Sequence, residues 1–146
     1  MARGEGRLNV VPDCSLLSRA LIESQFLKHA EDRLTYWLEA GDSIVAPYHL
    51  QIEFSASLTG LERRRRISRY AADVAFSTFE ALPITYGWDD AWVRRAIDIA
   101  RAIGASRTYD SLYLACAESQ GATLYTCDAA FARSASGLSS AVAHVG

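Results

Sequence analysis

The sequence predicts an α/β fold, a three-layer α/β/α sandwich around a small, mostly parallel sheet. Three observations predict it. Short apolar runs with β-branched residues alternate with stretches of helical periodicity along 146 residues, and parallel neighbours require such crossover connections. Half of the residues are apolar, enough for one core that buries roughly two-thirds of the surface an unfolded chain exposes. Two aspartates, Asp13 and Asp128, stand just past two of the apolar runs, and ligands of open parallel sheets collect beyond the carboxyl ends of the strands. One domain over residues 1–146 is expected, with residues 1–7 as a flexible N-terminus.

Residues 8–11 form the first strand, ended by Pro12, which has no amide to give to a ladder. Apolar residues then recur at helical spacing from Ser15 to about Leu27, and a second helix carrying Leu34, Trp37 and Leu38 stops at Gly41. Residues 43–46 read as a second strand. Pro47 suits the first turn of a helix that carries Leu50, Ile52, Phe54 and Leu58, with Glu53 inside it. Residues 61–82 read as a further helix that opens on the basic run Arg63 to Arg66. Pro83, Ile84 and Thr85 break it and add a brief strand. Asp89 and Asp90 open a helix with Trp92, Val93, Ala96, Ile97, Ala100 and Ile103 on one face, closed by Gly104. Another helix begins near Thr108 and ends at Gly121. A strand over residues 122–126, a short helix over 128–135 and a last strand over 140–145 complete the chain.

Charge and composition exclude several functions. The net charge of −2 leaves no global positive field, so contact with a polyanion needs a local basic patch. Lys28 is the one lysine and no Gly-rich loop precedes it, which excludes a P-loop and disfavours Schiff-base chemistry. Cys14, Cys116 and Cys127 are odd in number and form no Cys-x-x-Cys pair, against both a disulfide framework and a zinc ribbon. No apolar run reaches the roughly 18 to 20 residues that span a bilayer. These features lead to the expectation of a soluble, cytoplasmic protein with no membrane partner.

Asp13, Glu53, Asp110 and Asp128 are the residues of most interest. Taken singly, three have ordinary roles: Asp13 and Asp128 suit helix N-caps, and Asp110 suits a first helical turn. Glu53, between Ile52 and Phe54, resists that account, because a carboxylate facing an apolar neighbourhood needs a partner. If the four converge, each pair about 4 Å apart repels by roughly 4 kcal/mol at an effective dielectric near 20. Protons or a cation must fill such a site. An all-oxygen donor set selects Mg²⁺ or Mn²⁺ over zinc. His29, His49 and His144 are scattered and read as surface or packing residues, as Tyr109 and Tyr113 read as core packing and Trp37, Trp88 and Trp92 as core or interface.

The local sequences resemble PIN domains. Val11-Pro12-Asp13-Cys14-Ser15 is similar to their opening motif, residues 47–53 ending in Glu53 to the second, Thr108-Tyr109-Asp110-Ser111-Leu112-Tyr113 to the third, and Leu124-Tyr125-Thr126-Cys127-Asp128 to the fourth. Many relatives place Asn three residues after the glutamate where this chain has Ala56, and some add an acid where it has Ala129, Ala130 and Ala132. Length points within the superfamily to VapC-like toxins of toxin–antitoxin pairs. The resemblance implies a Mg²⁺- or Mn²⁺-dependent endoribonuclease. Asp13, Asp110 and Asp128 are its implied metal ligands, and Glu53 positions or deprotonates the attacking water, at a second metal if one binds. Ser15 and Thr126 are suited to hold a carboxylate or phosphate oxygen, and Arg19 to contact an RNA phosphate. The run Arg63 to Arg66 reads equally as a solvated surface or an RNA contact. Implied partners are the RNA substrate, a cognate antitoxin and a second copy of the chain. Alternatives are a PIN nuclease of RNA maturation or decay without an antitoxin, and a non-catalytic metal-binding interaction module.

Overall fold

A computed structural model describes residues 7–146. Apart from Arg7, the N-terminus expected to be flexible lies outside the described residues. β1 (Asn9–Pro12), β2 (Ser43–Pro47), β3 (Ile84–Gly87), β4 (Thr123–Thr126) and β5 (Val142–His144) form one sheet in the order β3-β2-β1-β4-β5. Every neighbouring pair is parallel. The chain therefore builds outward from β1 in one direction through β2 and β3, then crosses back to add β4 and β5 on the other side. That reversal puts a crevice between the carboxyl ends of β1 and β4, the place where open α/β sheets bind ligands.

The crossovers are helical: α1 (Cys14–Leu21), α2 (Lys28–Ala40), α3 (His49–Arg63), α4 (Arg69–Ala81), α5 (Asp90–Ile103), α6 (Tyr109–Ser119) and α7 (Ala129–Ser136). α6 lies against β1, β2 and β4 and is covered in turn by α5, while α1 lies against β4 and packs on α2 and α3. Because α6 is enclosed, Ser111 to Ala117 are all buried, and its near-continuous apolar run is what a helix surrounded by protein requires. α2 and α5 end at Gly41 and Gly104 with φ of 70° and 73°, left-handed positions at which glycine avoids a Cβ clash.

Three boundaries differ from the sequence expectation. The helix expected to run to about Leu27 stops at Leu21, and a 3-10 turn (Glu23–Gln25) precedes α2. Ile22 leaves the helix in extended conformation and is buried in the core, while the Leu27 amide bonds back to the Arg19 carbonyl at 2.9 Å. Pro47 closes β2 instead of opening α3, which begins after Tyr48. The helix expected over residues 61–82 is two elements. α3 continues to Arg63, a turn follows with Arg65 at φ 56°, and α4 starts under Ser68, whose hydroxyl accepts the Ala71 amide at 3.0 Å. Of the tryptophans read as core or interface, Trp37 and Trp92 are buried and Trp88 is 47% exposed, while Ile52 on α3 is 71% exposed.

Candidate active site

β1 delivers Asp13 directly into the crevice. The Asp13 amide donates to the Tyr125 carbonyl at 3.1 Å, which extends the β1–β4 ladder by one residue and seats the side chain between the two strands. Asp13 is 3% exposed. Its Oδ1 accepts from the Ser15 hydroxyl at 2.6 Å and the Leu16 amide at 3.0 Å, so it caps α1. Burial pushes its carboxyl up to about 6, against the pull of bonds from Ser15, Thr126 and Leu16, with the Asp110 charge adding to the rise. Cys14 and Cys127 flank this acid. Burial first, then neighbouring carboxylate charge, raises both thiols to about 11, so they are neutral in the metal-free chain.

Ser15 and Thr126 stand where the two strands meet. The Ser15 Oγ accepts from the Cys127 amide at 2.9 Å and lies 3.2 Å from the Thr126 Oγ1, which accepts from the Asp128 amide at 3.0 Å. The two hydroxyls thus tie the Asp13 and Asp128 loops together. Asp128 caps α7, its Oδ1 accepting from the Phe131 amide at 2.9 Å.

Asp110, in the first turn of α6, links the remaining acids. Desolvation, then the charges of Glu53 and Asp128, hold its carboxyl above the ordinary range. Asp110 acts in turn on Asp13 and raises its carboxyl further. Glu53 is the exception in sign. Burial opposes its charge, yet bonds from His49 and Tyr113 outweigh burial and hold it below the ordinary range. The Tyr113 hydroxyl donates to Glu53 Oε1 at 2.7 Å, and His49 Nε2 lies 3.2 Å from the same oxygen. His49 Nε2 is also 3.1 Å from the Tyr109 carbonyl oxygen. Both of these oxygens accept, so Nε2 carries a hydrogen. The His49 ring packs 4.4 Å from that of Tyr113.

Sequence reasoning missed these two partners of Glu53. Tyr113 is 0% exposed, as packing predicts, but its hydroxyl serves the site, while its neighbour Tyr109 is 54% exposed and not a core residue. His49 packs on Tyr113 and also contacts Glu53. The available signal was its spacing, four residues before Glu53 on one helix face. Arg19 is exposed and close enough for its charge to act on the Cys127 thiol. Arg63 to Arg66 are exposed at the far end of α3, and Arg63 lies ten residues, about 15 Å, along the helix from Glu53.

Carboxyl oxygens, two of the groups with raised affinity for protons, are the donor type a hard divalent cation takes. Among the described residues, no three His, Cys, Asp or Glu side chains already stand in a ligating arrangement.

A parallel α/β sheet with acids at its topological switch places the chain among open α/β proteins that bind ligands in that crevice. The family model of the PIN domain matches residues 10–136, and the chain belongs to that family. Two solved structures share the fold. PAE2754 from Pyrobaculum aerophilum aligns at a TM-score of 0.67 with 17% identity, over 94% of this chain and 83% of that one. VapBC2 from Rickettsia felis, bound to a DNA fragment from their promoter, aligns at 0.68 with 10% identity, over 95% of this chain and 100% of that one. No curated protein matches in sequence. Among the described residues, no helix is long and apolar enough to cross a membrane.

Proposed function

We propose that the chain, as a single domain over residues 1–146, is a metal-dependent endoribonuclease and the toxin of a toxin–antitoxin pair. The observation that carries the reading is the placement of Asp110, whose carboxyl feels Glu53 and Asp128 and itself raises Asp13. Asp13, Asp110 and Asp128 would hold Mg²⁺ or Mn²⁺, with Glu53 beside them. When bound, such a cation offsets charge on the phosphoryl group and acidifies nearby water.

The chain's own residues do the rest. Tyr113 and His49 fix Glu53 through Oε1 and keep it ionised, so its carboxylate is oriented before substrate arrives and can position a water for attack on phosphorus. Ser15 and Thr126 hold the Asp13 carboxylate and lock the two acid-bearing loops in register. Arg19, exposed beside Cys127, is placed to meet a phosphate of the strand.

The toxin reading draws support from the family and from the likeness of fold to a VapBC pair. It carries with it a cognate antitoxin, a cytoplasmic site of action and a homodimer. Brief induction of the wild-type chain beside the Asp110→Asn variant, followed by sequencing of RNA ends, tests activity and identifies the target. New ends that need Asp110, with growth arrest relieved by a small protein encoded nearby, are the expected result. Ends without arrest assign the chain to RNA maturation or decay. Metal-dependent stabilisation with no hydrolysis of any RNA makes it a binding module.

A further inference from the structure

A cleft of about 430 Å³ opens between α2 and the end of β5, lined by His29, Asp32, Arg33, Tyr36 and His144 among others. Its lining side chains carry one guanidinium, Arg33, and one carboxylate, Asp32. Asp32 is engaged by Lys28 at 2.8 Å, whereas no carboxylate pairs with Arg33 among the described residues. The Arg33 guanidinium lies 5.4 Å from the centre of the Tyr125 ring and 6.0 Å from that of Tyr36. Aromatic contact of this kind orients the guanidinium and leaves its edge N–H groups for an anion.

The cleft shares the edge that carries the acids. His144 is the register partner of Thr126, and the Val145 amide donates to the Thr126 carbonyl at 2.9 Å. Thr126 in turn holds the Asp128 amide. Adjacent strands are about 4.8 Å apart, so the cleft begins one strand's width from Thr126, two residues before Asp128. A pocket of carboxylates repels a nucleic-acid strand, and the net charge of −2 offers no compensating field. Cations beside the acids must therefore hold the strand in place. Arg33 answers the need for a local basic site better than the run Arg63 to Arg66 at the far end of α3.

We propose that this cleft binds a phosphate of the RNA strand next to the one being cleaved, with Arg33 as the principal contact and His29 and His144 at its walls. The inference rests on the ribonuclease reading and deepens it.

The test uses the full chain carrying Asp110→Asn, so that RNA is bound but not cut, and a labelled unstructured RNA of about ten nucleotides. Adding Arg33→Gln is expected to weaken binding about tenfold at low salt and to make the salt dependence shallower by about 0.7 in log–log slope. Arg33→Lys, which keeps charge but loses the planar fork, is expected to recover part of the affinity; it carries the comparison if Arg33→Gln lowers the melting temperature. Equal affinity and slope in the Arg33 variants overturn the cleft and leave the nuclease intact. Failure of the parent chain to bind or cut any RNA overturns both. Inorganic phosphate that shifts the His29 and His144 ring resonances, with no loss of RNA affinity in Arg33→Gln, assigns the cleft to free phosphate and overturns the proposal.

Discussion

The Tyr113 hydroxyl donates a 2.7 Å hydrogen bond to Glu53 Oε1, joining α6 to α3. A hydrogen bond to a charged, partly buried group contributes about 1.5–3 kcal/mol. Tyr113→Phe keeps the ring that packs on His49 and removes this bond alone. Cleavage is expected to fall about ten- to a hundredfold through kcat with KM little changed, since each 1.4 kcal/mol is a factor of ten. A kcat equal to wild type shows that the tyrosine serves packing only.

Asp110 gives a prediction with two readouts of opposite sign. Neutralising it relieves repulsion with Glu53 and Asp128, so the Asp110→Asn chain in EDTA should melt no lower than wild type. The same change should abolish most of the Mg²⁺-induced rise in melting temperature and cut hydrolysis by at least about a hundredfold. A variant that keeps full activity at saturating Mg²⁺ removes Asp110 from the site.

Asp13 sets a pH dependence. In the folded chain its carboxyl keeps its proton up to about pH 6, whereas the ordinary value is 3.8. Between those limits the unfolded chain binds fewer protons than the folded one, so metal-free stability falls as pH rises, by at most about 3 kcal/mol from this residue. Glu53 and Glu118, held below the ordinary 4.5, act in the opposite sense and lower down, losing their contribution as pH falls beneath about 4.5. Thermal melts in EDTA should therefore decline from about pH 4.5 to pH 6.5. Stabilisation by Mg²⁺, which needs the ionised acid, should grow across that window. A Mg²⁺ effect independent of pH contradicts the assignment of Asp13.

Much of this layout is legible from local chemistry. Strand exits were readable because β-branched runs end at Pro12 and Thr126 with an acid close behind, and the helix ends at Gly41 and Gly104 because those positions need a left-handed backbone. Polar contacts made across elements were not. Helical spacing tells which way Tyr113 faces but not that its hydroxyl meets a carboxylate sixty positions earlier in the chain. Likewise, the arginine run hid the end of α3, since Arg65 takes a left-handed conformation that its residue type does not announce. His144 reads in sequence as a surface or packing residue because only the β4–β5 register sets it beside Thr126, and Arg33 drew no notice because only the packing of α2 sets it over Tyr125.

Ser15 joins three partners through one oxygen, donating to Asp13 at 2.6 Å, accepting from the Cys127 amide at 2.9 Å and contacting Thr126 at 3.2 Å. Ser15→Ala removes all three and leaves the Cys127 amide unpaired, which costs about 1–3 kcal/mol of stability. It also withdraws a bond that lowers the Asp13 carboxyl, so that acid should hold its proton to higher pH. The acid limb of the pH–rate profile is expected to move upward, with activity at pH 8 reduced less than activity at pH 6. Ser15→Thr retains the hydroxyl and should restore the profile. A loss of activity equal at both pH values, or a profile that Ser15→Thr leaves shifted, would mean that Ser15 supports the fold without tuning Asp13.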